Sequence, residues 1–206
     1  MHSGPEPLEL GKARFRAELD ALIAVYQAAM KPPALQLAGR RSIMERHARN
    51  PSFRAVAWIV AAGPAELPAL ASGQQGTIIG FAYGFHGADG QWWHDLVRDA
   101  LTAAAGSGYG HAWLADVFEV AEVHVHPDYQ GRGIGRELIL ALTYPRLERT
   151  AVLSTQDADS TARRLYRRLG FADLLTGFSF PGTDPPYAVM GAVLPLRERP
   201  PSPAGR

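Results

Sequence analysis

The sequence predicts an α/β fold, a mixed sheet with helices on its faces, and three observations lead to it. Along 206 residues the hydrophobic spacing switches between the helical and the alternating period several times. The resulting order is two helices, two strands, an inserted segment, then strand, helix, strand, helix and two strands. A glycine-rich turn, Gly131, Gly133 and Gly135, joins one strand directly to the helix after it.

Each element has a local reason. Apolar residues at Phe15, Leu19, Leu22, Ile23, Tyr26 and Met30 form one helical stripe over Lys12 to Met30, ended by Pro32 and Pro33. A shorter helix is predicted over Arg40 to Ala48, closed by Asn50-Pro51. Phe53 to Val60 and Thr77 to Phe85 are β-branched and aromatic runs, read as two strands joined by a long loop. Gln91-Trp92-Trp93-His94 leads into a helix over Asp95 to Ala105, stopped by Gly106-Ser107-Gly108. Strand character resumes over Trp113 to Val125, and the glycine turn and a helix bearing Leu138, Ile139, Ala141 and Leu142 follow. Ala151 to Thr155 reads as a strand, Ser160 to Leu169 as a helix stopped by Gly170. Ala172 to Phe180 and Tyr187 to Leu194 read as the last two strands. Residues 12–194 form a single domain in this reading, with tails at 1–11 and 195–206, the latter proline-rich and expected to be disordered.

Composition narrows the function. Hydrophobic residues at 47% and charged residues at 20% fit a globular chain with its own core. The absence of cysteine excludes disulfides, thiolate metal sites and a cysteine nucleophile. A net charge of +1 gives no reason to expect a nucleic-acid or membrane partner. The opening Met-His-Ser-Gly-Pro-Glu-Pro has no secretion-signal pattern, and the longest apolar run, Ala55 to Ala62, has eight residues, so a cytoplasmic location is expected. The average hides a segregation. Residues 89–128 carry seven acidic groups against one basic, whereas residues 129–171 carry eight basic against four acidic.

A glycine turn between a strand and a helix presents successive backbone N–H groups to one concavity, and the helix dipole adds positive potential there. With Arg132 and Arg136 beside it, the turn suits a diphosphate. It lacks the third glycine of a dinucleotide fingerprint, because position 136 is arginine, and no P-loop string occurs.

Gln130-Gly-Arg-Gly-Ile-Gly135 resembles the Q/R-x-x-G-x-G/A pyrophosphate loop of the GNAT superfamily of acyl-CoA-dependent N-acyltransferases. Ala162-Arg-Arg-Leu-Tyr-Arg-Arg-Leu-Gly-Phe171 is similar to that family's A-x-x-L-Y-x-x-L-G-F helix. The resemblance covers roughly Lys12 to Leu194 and implies a GNAT-like, mostly antiparallel sheet with splayed strands 4 and 5. It departs from the family in three places. Only Leu8-Glu9-Leu10 is left to supply an opening strand, Asp159 replaces a common asparagine, and a helical insert of about 86–116 separates strands 3 and 4.

The resemblance implies acetyl-CoA as cosubstrate and an amine-bearing small molecule or peptide as acceptor. Backbone of Val123, His124 and Val125 would contact the pantetheine and acetyl groups, and Gln130, Gly131, Arg132, Gly133, Ile134, Gly135 and Arg136 the pyrophosphate. Asp159 stands at a further cofactor-contact position. Tyr166 matches the family tyrosine that protonates the departing thiolate, although its spacing from Leu169 also suits a core ring. Period-2 alternation puts Glu119 on one strand face with Val123, and Glu122 with His124 on the other. Glu119, 11 residues before Gln130, stands where the resemblance places the catalytic glutamate of histone-type members and is therefore the first choice of general base, with Glu122 the second, beside the plain reading of both as strand carboxylates.

His124 and His126 lack a third ligand at a convincing spacing and read as surface or rim histidines, so no metal is expected. Trp92, Trp93 and His94 are read first as anchors of the insert, and otherwise as the lining of an acceptor pocket or a homodimer contact. The acidic run favours a cationic amine. The alternative function is a non-catalytic acyl-CoA-binding sensor.

Overall fold

A computed structural model describes residues 7–71, 73–181 and 185–196. Residues 1–6 and 197–206, most of the two expected tails, lie outside the described residues. The elements in order are β1 (Leu8–Glu9), α1 (Lys12–Ala17), α2 (Leu19–Met30), α3 (Ala34–His47), β2 (Arg54–Val60) and β3 (Thr77–His86). Then come α4 (Trp92–Ala105), α5 (Ser107–Leu114), β4 (Val117–Val125), α6 (Ile134–Thr143), β5 (Thr150–Gln156), α7 (Thr161–Arg168), β6 (Ala172–Phe178) and β7 (Tyr187–Val193). The seven strands run in the order β1-β2-β3-β4-β5-β7-β6. The sheet is mostly antiparallel, and β4 and β5 are its parallel pair. That parallel ladder covers three residue pairs, Val117↔Thr150 to Glu119↔Val152. Among the described residues, no helix is long and apolar enough to cross a membrane.

The chain divides into two compact units, and β4 contributes to both. The first holds Met1–Phe85 and Val120–Tyr144. Its core is the expected stripe of Phe15, Leu19, Leu22 and Tyr26 with Phe81, Tyr83, Leu138, Ile139 and Leu142. The second holds His86–Glu119 and Pro145–Arg206. Its core joins Val97, Leu101 and Leu114 of the insert to Val117, Val152 and Val189, with Trp93 and Trp113 packed against them. The insert is therefore part of that unit's core.

Several element boundaries differ from expectation, one of them at a long-range contact. The single helix expected over 12–30 breaks at Glu18, which leaves helical geometry (φ −91°, ψ 10°). The buried Glu18 carboxylate accepts the Ala71 N–H at 2.9 Å, a partner 53 residues away. The helix expected to start at Arg40 starts at Ala34, because Pro33 serves as the residue before its first turn, where a missing N–H costs nothing. The segment after Gly106 forms α5, and the strand begins at Val117 instead of Trp113. Gly108 and Gly110 read as breakers, but a Cβ on Gly110 would lie 2.5 Å from Thr102 Oγ1 and 3.0 Å from the Arg98 carbonyl. Close contact of α4 and α5 requires glycine there.

Candidate active site

In the first unit, β4 runs through His126 and a short turn at Pro127–Tyr129 into the glycines. The His126 N–H donates to the Ile79 carbonyl at 2.8 Å, which fixes where the strand ends. Gly131 and Gly133 adopt φ of +74° and +82°, values that L side chains rarely take, and open space lies over both. Gly133 precedes α6, and the N–H groups of Arg136 and Glu137 close onto its carbonyl at 3.0 and 3.2 Å. The amides of Ile134 and Gly135 thus precede the first intrahelical bonds and remain available to an anion at the positive end of the helix dipole.

The flanking side chains brace this turn. Gln130 Nε2 donates to the Val125 carbonyl at 3.0 Å. Arg132 Nη2 donates to the Asp128 carbonyl at 2.8 Å, with its guanidinium 4.8 Å from the Tyr129 ring centroid. Arg136 pairs with Glu137. Val123 and Val125 are half-buried. His124 and His126 are not the surface or rim histidines expected. His126 is buried, and its Nδ1 accepts the Asp128 N–H at 3.3 Å. His124 packs its ring against Tyr26 and Phe81.

Glu122 also lies in the first unit, inside a polar cluster. Arg40 Nη1 donates to Glu122 Oε1 at 2.5 Å, and His124 Nε2 bonds Glu122 Oε2. Arg40 also reaches the Tyr26 hydroxyl at 3.1 Å. Burial alone would push the Glu122 carboxyl up, but the hydrogen bond from His124, its charge and that of Arg40 outweigh burial and hold it below the ordinary carboxylate value. Nearby His47 is pushed down to about 4, chiefly by burial.

Glu119 lies in the second unit, 4% exposed, and its Oε1 has no hydrogen-bond partner. Burial, and secondarily the charge of Asp95, push its carboxyl up to about 8. The carboxyl packs under Gly87, where a Cβ would come within 2.5 Å of Oε1 and 2.6 Å of Val117 Cγ1. A side chain at Gly87 would have to displace this carboxyl or Val117.

Tyr166 is buried on α7, with its ring 5.9 Å from that of Phe171. Two devices hold α7. Ser160 Oγ accepts the Arg163 N–H at 3.1 Å as the N-cap, and buried Arg163 pairs with Asp157 and with Asp173 at 3.1 Å. Asp157 also accepts the Gly177 N–H at 2.6 Å. This arginine clamp was not found from sequence, since Asp157 and Asp173 flank the signature without belonging to it. Asp159 is exposed and pairs with Arg164 at 3.0 Å. Trp93 Nε1 donates to Ser154 Oγ at 3.2 Å, while Trp92 is 61% exposed with Phe180 5.9 Å away.

Residues 69–173, which carry the glycine turn, Glu119 and the Tyr166 helix, match the family profile described as an acetyltransferase (GNAT) domain. The chain belongs to the GNAT acetyltransferase family. A curated relative, the GCN5-like protein acetyltransferase Rv2170 of Mycobacterium tuberculosis, is 35% identical over 204 residues, spanning 92% of this chain and 98% of that one. The NatC complex bound to Gag peptide and CoA contains a chain with the same fold, with a TM-score of 0.59 at 12% identity over 92% of this chain and 99% of that one. The structure of yncA from Salmonella typhimurium with its cofactor acetyl-CoA gives a TM-score of 0.56 at 15% identity over 96% of this chain and 99% of that one. At such identities these two structures speak for the GNAT fold alone.

Proposed function

We propose that this GNAT acetyltransferase moves an acetyl group from acetyl-CoA to a primary amine by direct attack, with no acyl-enzyme. The observation that carries the reading is Glu119: a buried carboxyl with a free oxygen, shifted to about 8, on the strand that leads into the glycine turn. An amine acceptor arrives as an ammonium of pKa about 10 and must lose a proton before it attacks. Glu119 takes that proton, directly or through one water, and a base tuned near 8 is matched to this task. Glu122 is a poor base, since both its oxygens are engaged and its proton affinity is lowered.

The nitrogen lone pair then attacks the thioester carbonyl and forms a tetrahedral oxyanion, for which β4 backbone N–H groups are suitable donors. Collapse breaks the C–S bond. The thiolate takes the proton of the Tyr166 hydroxyl, the second proton on the attacking nitrogen passes through water to restore that hydroxyl, and the amide product leaves neutral. The amides from Gly131 to Gly135, with Arg132 and Arg136, hold the pyrophosphate of the cosubstrate. The run of seven acidic groups against one basic over residues 89–128 favours a cationic acceptor, a small molecule or peptide amine.

The test is thiol release from acetyl-CoA with a panel of cationic, neutral and anionic amines. Turnover with cationic amines, an acid limb near pH 8 and a Tyr166→Phe variant slowed about tenfold or more at unchanged KM for acetyl-CoA support the reading. Binding of acetyl-CoA without turnover of any amine overturns it in favour of a sensor. Full turnover in Tyr166→Phe removes the acid role.

A further inference from the structure

The insert carries a histidine whose second nitrogen has nothing to bond. His94 is 3% exposed in the first turn of α4, and its Nε2 lies 3.1 Å from the Leu114 carbonyl. A carbonyl only accepts, so Nε2 carries a proton, and in the tautomer this selects Nδ1 holds the lone pair. That Nδ1 has no hydrogen-bond partner. It faces Asp95 Oδ1 at 3.5 Å and Asp89 Oδ1 at 3.9 Å. Three lone-pair donors therefore converge on one point, and a cation is the group that relieves their mutual repulsion.

We propose that Asp89, His94 and Asp95 form a binding site for one divalent transition-metal cation of the zinc class. Two ligands at about 2.1 Å from tetrahedral zinc stand about 3.4 Å apart, close to the observed spacings. One imidazole and two carboxylates, completed by water, are ligands zinc accepts. Two of the three are already oriented: the Leu114 carbonyl holds His94, and the Gly90 N–H donates to both Asp95 oxygens at 3.2 and 3.0 Å. Asp89 and His94 line a cavity of about 580 Å³, which gives the ion and its water a route in.

One cation already shares this place. Arg98 Nη1 contacts Asp89 Oδ1 at 2.5 Å and Asp95 Oδ1 at 3.0 Å, while its Nε and Nη2 reach Asp99 at 3.2 and 3.1 Å. Arg98 neutralises the carboxylates but is itself only a donor to them, so metal entry displaces Nη1 and leaves the arginine on Asp99. Arg98 is thus a built-in competitor, and the bound ion would tie the loop before α4 to its first turn. A second cluster, Glu66, His126 and Asp128, also brings ligand atoms within 4.8 Å of one another. There His126 Nδ1 accepts the Asp128 N–H and Nε2 faces Glu66 at 3.2 Å, which leaves no idle lone pair.

The site shares only Asp95 with the acetyl-transfer reading, through the charge that raises Glu119, and its test reads metal binding without any acetyl transfer. Untagged full-length protein, stripped with chelator, is titrated calorimetrically with Zn2+, and Co2+ is used as a visible-absorption probe of the coordination geometry. The expected result is one saturable site with tetrahedral Co2+ bands. His94→Ala weakens it about 100-fold, Arg98→Gln tightens it about tenfold, and His126→Ala leaves it unchanged. No saturable binding, equal affinity in His94→Ala, or weaker binding in Arg98→Gln overturns the proposal. Arg98 is a third exposed, so its variant keeps the test decidable even if His94→Ala does not fold.

Discussion

Glu119 and Glu122 sit three residues apart on one strand and have opposite chemistry. Glu122 is surrounded by donors, Arg40 and His124, which hold its carboxyl below the ordinary value. Glu119 has an unpaired oxygen under a glycine and a like charge nearby, and holds its proton to about 8. Residue type is the same and burial is similar, so the difference lies in the partners. A carboxylate saturated by cations is a structural group, whereas one left without donors in a dry place is available for proton transfer.

Exchanging charge for an amide at each position should separate these roles. In Glu119→Gln, kcat/KM for the amine should fall by about 10²–10³, with acetyl-CoA binding retained. Steady-state thiol release and calorimetry check this, and a loss below tenfold would place the base elsewhere. In Glu122→Gln, the expected loss is one of stability, about 2–4 kcal/mol, because Arg40 and His124 lose the negative charge and one of the two acceptor oxygens between them. Arg40 is partly exposed and regains some water, which keeps the cost below that of a fully buried pair. Denaturant unfolding measures it, and activity per folded molecule should change less than threefold. Gly87→Ala comes next. Its Cβ meets Glu119 Oε1 and Val117, and the packing cost should be about 1–3 kcal/mol together with a displaced carboxyl and lower turnover. Unchanged unfolding and unchanged rate would mean that the cover over Glu119 is loose.

How much of this contrast was readable in advance depends on how local its causes are. The glycine turn was legible because a strand end, left-handed glycines and a helix start follow each other within ten residues. Alternation along the strand separated Glu119 from Glu122. It could not tell which one kept a free oxygen, because the deciding donor, Arg40, lies 82 residues from Glu122. The same physics hid α5: Gly110 looks like a breaker alone and becomes a requirement once Thr102 packs against it. Histidine spacing drew attention to His124 and His126, yet His94 is the one with an idle nitrogen, and only the Leu114 carbonyl reveals it.

The smallest expected effect is also the cleanest measure of the contrast, since it reads Glu119 through stability without any substrate. A carboxyl raised from the ordinary 4.5 to about 8 binds a proton more tightly folded than unfolded. Its contribution is therefore fully present below about pH 4.5 and is lost as pH rises toward 8. The slope from one such group is at most about 1.4 kcal/mol per pH unit, and structural relaxation around the ionised form reduces it. Glu122 has the opposite sign: its contribution is present above 4.5 and is lost as pH falls through its lowered folded value. Glu119→Gln removes the first contribution and leaves the second. The stability of Glu119→Gln relative to the unsubstituted chain should rise steadily between pH 5 and about 8 and level off above it, by about 1–2 kcal/mol in all. Chemical denaturation at a series of pH values gives that difference directly. A difference that stays flat across this window would show that water or a partner reaches the carboxyl after all, and the case for Glu119 as the base would go with it.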